Sequence, residues 1–130
     1  MGDHDRPLDD RGLRDAPIMA DLLKKLGYKM DKIVSSTANR AKTTAGYFAK
    51  ANHLELNLEK HLYHGDPDDY LDVIHEQGEE VKALAMFGHN PGITYFANII
   101  KQGATDNIPT CGIVICTVNE DITWDQITEK

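Results

Sequence analysis

Two short stretches hold residue types that could work together chemically. In "GHNPG" (88–92), a histidine follows an apolar run directly, and Asn90-Pro91 then reads as a helix start. In "SSTANR" (35–40), an extended run ends in two serines. Arg40 then falls on the first turn of the next helix, near the amides of Thr37 to Asn39. Helix N-termini attract anions through unpaired N–H groups and the macrodipole. An arginine offers two parallel hydrogen bonds to phosphate oxygens, and a histidine beside it can donate to a phosphoryl oxygen. Brought together, His89 and Arg40 would bind a phosphate. Each residue alone carries little, because a single helical Arg is usually a solvated charge and a single loop His usually has no special role.

The other polar candidates are weaker. "HLYH" (61–64) sets two histidines at i and i+3, but no cysteine or HExxH-type carboxylate accompanies them, so metal binding is not expected. His53 and His75 read as surface or boundary residues. Asp9-Asp10 reads as a capping or solvated pair and not as a catalytic dyad.

The elements that must position these groups alternate. "DRGLRDAPIMADLLKKLG" (10–27) is helical, with Leu13, Ala16, Ala20 and Leu23 inward, Met19, Leu22 and Leu26 widening the stripe, and Gly27 as the terminator. Pro17 either kinks this helix or marks its true start. "KIVSS" (32–36) is a strand, "TANRAKTTAGYFAKA" (37–51) a helix with Ala38, Ala41, Ala45, Phe48 and Ala49 inward, and "LELNL" (54–58) a strand. "GDPDDYLDVIHEQG" (65–78) is a helix with Asp66 as N-cap and Pro67 at N1, burying Tyr70, Leu71, Val73 and Ile74. "VKALAMF" (81–87) is apolar enough for a strand buried on both faces; "NPGITYFANIIKQG" (90–103) is a helix capped by Asn90, and "CGIVICTV" (111–118) a last strand. This alternation predicts an α/β fold with a mostly parallel sheet covered on both faces. In such sheets ligands bind beyond the carboxyl ends of the strands, where His89 and Arg40 lie.

The whole chain sets limits. Its 130 residues amount to one domain by length, and a 41% apolar, 27% charged composition is globular. A net charge of -7 argues against nucleic acid and anionic membrane as partners. No apolar run approaches the roughly 20 residues of a membrane span, and the acidic start "MGDHDRPLDD" does not read as a signal peptide. Cys111 and Cys116, five apart in an apolar run, would point to opposite faces of a strand, so two buried thiols are expected and not a disulfide. That suits a reducing, cytoplasmic setting.

The stretches "DHDRPLDDRGLRDAPIMADLL", "IVSSTANRAKTTA", "LYHGDPDDYLDVI", "MFGHNPGITYFAN" and "IPTCGIVICTV" occur in an order and at spacings that resemble the histidine phosphatase superfamily, in its SixA-type phosphohistidine phosphatase branch. The likeness runs over nearly the whole chain. It implies a three-layer α/β/α sandwich of the phosphoglycerate mutase-like kind. By resemblance, His89 matches the second active-site histidine, which hydrogen-bonds the phosphoryl group. Arg40 matches a phosphate-binding arginine and Arg6 another at the pocket rim or floor, with Asn90 beside them. The implied activity is removal of phosphate from phosphohistidine on a protein, through a covalent phosphohistidine intermediate and without cofactor or metal. The implied partner is a phosphohistidine-bearing protein; small phosphorylated substrates also fall within the superfamily, which includes mutases and phytases.

One part of the pattern is missing. The family's nucleophilic histidine sits in an Arg-His-Gly or Arg-His-Ala motif at the end of a first, central strand, and these 130 residues contain no such motif. The expectation is a single histidine-phosphatase-like domain over 1–130, N-terminally truncated, with that strand missing and its neighbours left with unpaired backbone groups. The chain as given is then expected to be inactive. His4, in "GDHDRP", reads as a solvated loop residue and not as a replacement nucleophile. The alternative is a pseudophosphatase that binds phosphate or phosphoproteins without cleaving them.

Overall fold

A computed structural model describes residues 2–78, 80–90, 92–100, 103 and 124. Along the chain come α1 (Asp10–Lys25), β1 (Lys32–Ser35), α2 (Asn39–Ala51), β2 (Leu56–Leu58), a one-turn 3-10 helix (Lys60–Leu62), α3 (Pro67–His75), β3 (Leu84–Phe87) and α4 (Gly92–Ile100). The strand expected over 111–118, with Cys111 and Cys116, lies outside the described residues.

Local rules set the helix ends. Asp9 caps α1 by accepting from the Gly12 amide at 2.8 Å, and Gly27 just beyond its end takes a positive φ of 87°. Asp66 and Asp69 form a reciprocal capping box at the start of α3, with Pro67 at the first position. The sheet is parallel in the order β2-β1-β3. Ile33 is the Cα partner of Leu56 on one side and of Ala85 on the other.

Alternation along β1 builds the layers. Ile33 packs with Ala20 and Leu23 of α1 and with Ala45, Phe48 and Ala49 of α2. Val34, its neighbour, packs on the opposite face with Leu62, Tyr70 and Val73, flanked by Ile93 and Phe96 of α4. Helices therefore cover both faces, as the three-layer reading requires. No helix among the described residues is long and apolar enough to cross a membrane.

Several expectations need correction. The face that α1 buries is Gly12, Ala16, Ala20 and Leu23, so Leu13, Leu22 and Leu26 remain 45%, 43% and 63% exposed. Ala20 and Leu23 pack with Ala45, Phe48 and Ala49 of α2, while Leu13, Leu22 and Leu26 fall outside that cluster. Pro17 does not start the helix, which begins at Asp10 and continues through it. The helix α2 begins later than predicted, at Asn39. The strand β3 is half-buried along its length, not buried on both faces. The β1–β3 ladder runs from Lys32–Leu84 to Ser35–Phe87.

Candidate active site

The parallel pairing of β1 with β3 brings their carboxyl ends side by side. One further bond, from the Ser36 amide to the Phe87 carbonyl at 2.9 Å, carries the pairing past the end of β1. The serine loop and the histidine loop therefore leave the sheet at the same edge. Ser36 is fully buried. Its Oγ accepts from the Ala38 amide at 3.1 Å and lies 2.8 Å from His89 Nε2.

The His89 backbone is fixed as well. Its amide donates to Tyr70 Oη at 3.2 Å, and Tyr70 is wholly buried on α3. The phenol reaches this position because residue 88 is glycine: a Cβ there would lie 1.7 Å from Tyr70 Oη. Gly92 answers a second close approach, since its Cβ would lie 1.9 Å from the Gly65 carbonyl oxygen. Both outer glycines of "GHNPG" are thus explained by sterics. Asn90 is exposed, and its side-chain oxygen accepts from the Thr94 hydroxyl one turn on.

Burial and the Arg40 guanidinium, in that order, push the His89 pKa down to about 4, with His64 and His4 adding to the effect and Asp3 opposing it. The imidazole is therefore neutral at pH 7. It can donate from one nitrogen while the other faces Ser36.

A positively charged rim stands beside it. Arg40, on the first turn of α2, donates Nη1 to the Asp3 carbonyl at 2.9 Å and Nη2 to Asp3 Oδ2 at 3.2 Å. Arg6 is exposed at the rim, with Nη2 3.5 Å from Asp3 Oδ1. The Tyr63 hydroxyl donates to Asp3 Oδ2 at 2.6 Å. These donors hold the Asp3 carboxyl below its ordinary range, the phenol contributing most. The phenol is itself raised by that same bond.

Tyr63 also gathers the imidazoles. Its ring meets His4 and His89 edge-on, with centroids 4.9 and 5.5 Å apart, and lies 4.1 Å from the tilted ring of His64. A shallow cleft runs from His89 along His64, Asp66, Pro67 and Tyr95.

His89, Arg40 and Arg6 thus lie at one end of the sheet. The helix start of α2 does not behave as predicted. Its Ala38 amide is taken by Ser36 and its Asn39 amide by the His4 carbonyl at 2.8 Å, so these are not open anion donors. His4 is not a solvated loop residue either; it is half-buried, with Nε2 2.7 Å from Thr37 Oγ1. The two imidazoles of "HLYH" part company: His61 lies 2.7 Å from Glu59 Oε1, and His64 packs at a tilt against Tyr63. Sequence reasoning overlooked Tyr63 and Asp3. Tyr63 sat inside a stretch weighed only for metal binding, and nothing local marks Asp3 as a partner of Arg40.

The fold and this cluster define an α/β protein with a histidine and arginines gathered at the carboxyl ends of its parallel strands. The family model for the histidine phosphatase superfamily (branch 1) matches residues 1–93, and the chain belongs to that superfamily. An uncharacterized protein of Mycobacterium tuberculosis is 29% identical over 131 residues, spanning 91% of this chain and 80% of that protein. One from Mycobacterium leprae is 30% identical over 127 residues, spanning 91% and 78%. Among solved structures, a protein assigned as phosphohistidine phosphatase SixA from Agrobacterium tumefaciens superposes with a TM-score of 0.73 at 31% identity over 78% of this chain. Another so assigned, from Nakamurella multipartitia, gives 0.70 at 26% identity over 78% of this chain. This chain spans 65% and 59% of those two proteins. The protein histidine phosphatase SixA complexed with tungstate shares the fold, with a TM-score of 0.71 at 22% identity over 82% of this chain and 70% of that one.

Proposed function

We propose that this site binds the phosphoryl group of a phosphohistidine-bearing protein, as in a SixA-type phosphohistidine phosphatase. The observation that carries the reading is His89, held at its ring by Ser36 and at its backbone by Tyr70, near the Arg40 guanidinium. A neutral imidazole donates a hydrogen bond to a phosphoryl oxygen, and the guanidinium neutralises the charge of the others. Arg6 adds charge at the rim, and Asn90 lies at the mouth of the cleft. No metal or cofactor is called on. Where a protein of this kind also carries the Arg-His-Gly or Arg-His-Ala motif, that histidine attacks phosphorus as the P–N bond to the substrate histidine breaks, and water then releases the phosphate from the covalent intermediate. We place the protein in the cytoplasm, in keeping with its two expected thiols.

A second reading is favoured by one fact: these 130 residues hold no such motif. On that reading the chain binds phosphate or phosphoproteins and does not cleave them. One experiment separates the two. A phosphohistidine-bearing phosphocarrier protein is incubated with the chain, and released phosphate is measured alongside binding. Turnover that disappears in His89→Ala supports the phosphatase. Binding without release, lost in Arg40→Ala, supports the binding module. Neither binding nor release would sink both.

A further inference from the structure

Reading Arg40 as a phosphate ligand raises a question, because its guanidinium is already engaged by the chain itself. Nη1 and Nη2 both go to Asp3, through the backbone carbonyl at 2.9 Å and the carboxylate at 3.2 Å. Tyr63 gives its hydroxyl proton to the same carboxylate oxygen at 2.6 Å, and Arg6 stands 3.5 Å from the other. A guanidinium fork, a second cation and a phenol are the donors that a tetrahedral oxyanion would use.

We propose that Asp3 is the internal anion of this site, a competitor that a phosphoryl group must displace from Arg40, Arg6 and Tyr63. The inference rests on the phosphate-binding reading of Arg40. The backbone around Asp3 is anchored independently of its carboxylate. The Asn39 amide holds the His4 carbonyl at 2.8 Å, the Asn39 side chain holds the Asp5 carbonyl at 3.2 Å, and His4 Nε2 contacts Thr37 Oγ1 at 2.7 Å. The carboxylate itself is 49% exposed. It can therefore rotate into water while the turn that carries it stays docked. A phosphoryl dianion, with more acceptor oxygens and more charge, takes over the released donors. Apparent affinity is reduced by the fraction of sites in which Asp3 occupies them.

Calorimetric titration of the full chain with inorganic phosphate, at fixed pH and ionic strength, tests this. Asp3→Asn is expected to bind about fivefold tighter, the scale of one exposed ion pair. Arg40→Ala should abolish binding in either background. A second readout follows the Asp3 carboxyl by carbon NMR: saturating phosphate should move its pKa up toward the ordinary carboxylate range. Equal or weaker binding by Asp3→Asn, with Arg40-dependent binding intact in the unaltered chain, overturns the competitor and leaves the phosphate site standing. An unmoved Asp3 titration does the same. Binding by neither protein, or binding indifferent to Arg40→Ala, overturns the phosphate site and this proposal together.

Discussion

His89 Nε2 lies 2.8 Å from the hydroxyl of Ser36, a residue 53 positions earlier in the chain. That contact joins the two loops on which phosphate chemistry would depend. Ser36 already accepts from the Ala38 amide. Donating its own proton to Nε2 leaves the imidazole proton on Nδ1, free to serve an external acceptor.

Replacing Ser36 with Ala should therefore do two things. It leaves the buried Ala38 amide without its acceptor, at a cost of about 1–2 kcal/mol in urea unfolding. It also frees the ring of His89, so phosphate binding should weaken severalfold. Nitrogen NMR of the imidazole should report the Nδ1–H tautomer in the unaltered protein and a tautomer mixture in the variant. An unchanged tautomer would refute the orienting role.

The depressed pKa of His89 has a definite sign in stability. Its folded value, about 4, lies below the ordinary histidine value of 6.5. Between those pH values the unfolded chain binds the extra proton and the folded chain does not. The contribution is complete above about pH 6.5 and is lost as pH falls toward 4. Asp3, Asp15 and Glu59 are also lowered and weaken the fold at still lower pH. Comparing urea midpoints at pH 7 and pH 5 with those of His89→Gln isolates the histidine. The unaltered protein should lose more stability than the variant, and equal losses would contradict the shift.

The close approach of Tyr70 to Gly88 should make Gly88→Ala destabilising. With Tyr70 Oη 1.7 Å and Cζ 2.7 Å from the new Cβ position, the ring or the loop must move, at a cost of about 1–3 kcal/mol. Tyr70→Phe removes the acceptor of the His89 amide and should cost about 1–3 kcal/mol. Because both changes strike one contact, the double variant should cost less than the sum of the two. Additive losses in denaturant unfolding would show that the two sites are independent.

Arg40 should not tolerate a conservative change. A lysine keeps the charge but loses the planar fork that engages two oxygens at once. Phosphate binding by Arg40→Lys should fall by about tenfold, between the unaltered protein and Arg40→Ala. Full binding by the lysine variant would show that charge alone matters at this position.

Much of the fold could be read locally. Asp66 and Pro67 mark the start of α3, and the inward sets of α2 and α3 follow their apolar spacing to the residue. Capping and periodicity act within a turn or two, so sequence carries them in full. The α1 stripe misled for a tertiary reason. Its leucines satisfy the helical period as well as Ala16 and Ala20 do, and only the packing of Ala20 and Leu23 against α2 decides which face is buried.

The site divides along the same line. The sequence by itself determined that His89 and Arg40 each follow a strand, and that glycines bracket His89. Only the tertiary structure decided that Ser36 holds the histidine ring, that Tyr70 holds its backbone, and that Asp3 and Tyr63 meet at Arg40. These pairs are 19 to 60 residues apart. No spacing rule reaches that far. The distances come from the parallel register of β1 and β3 and from the turn that lays residues 3–5 against the start of α2.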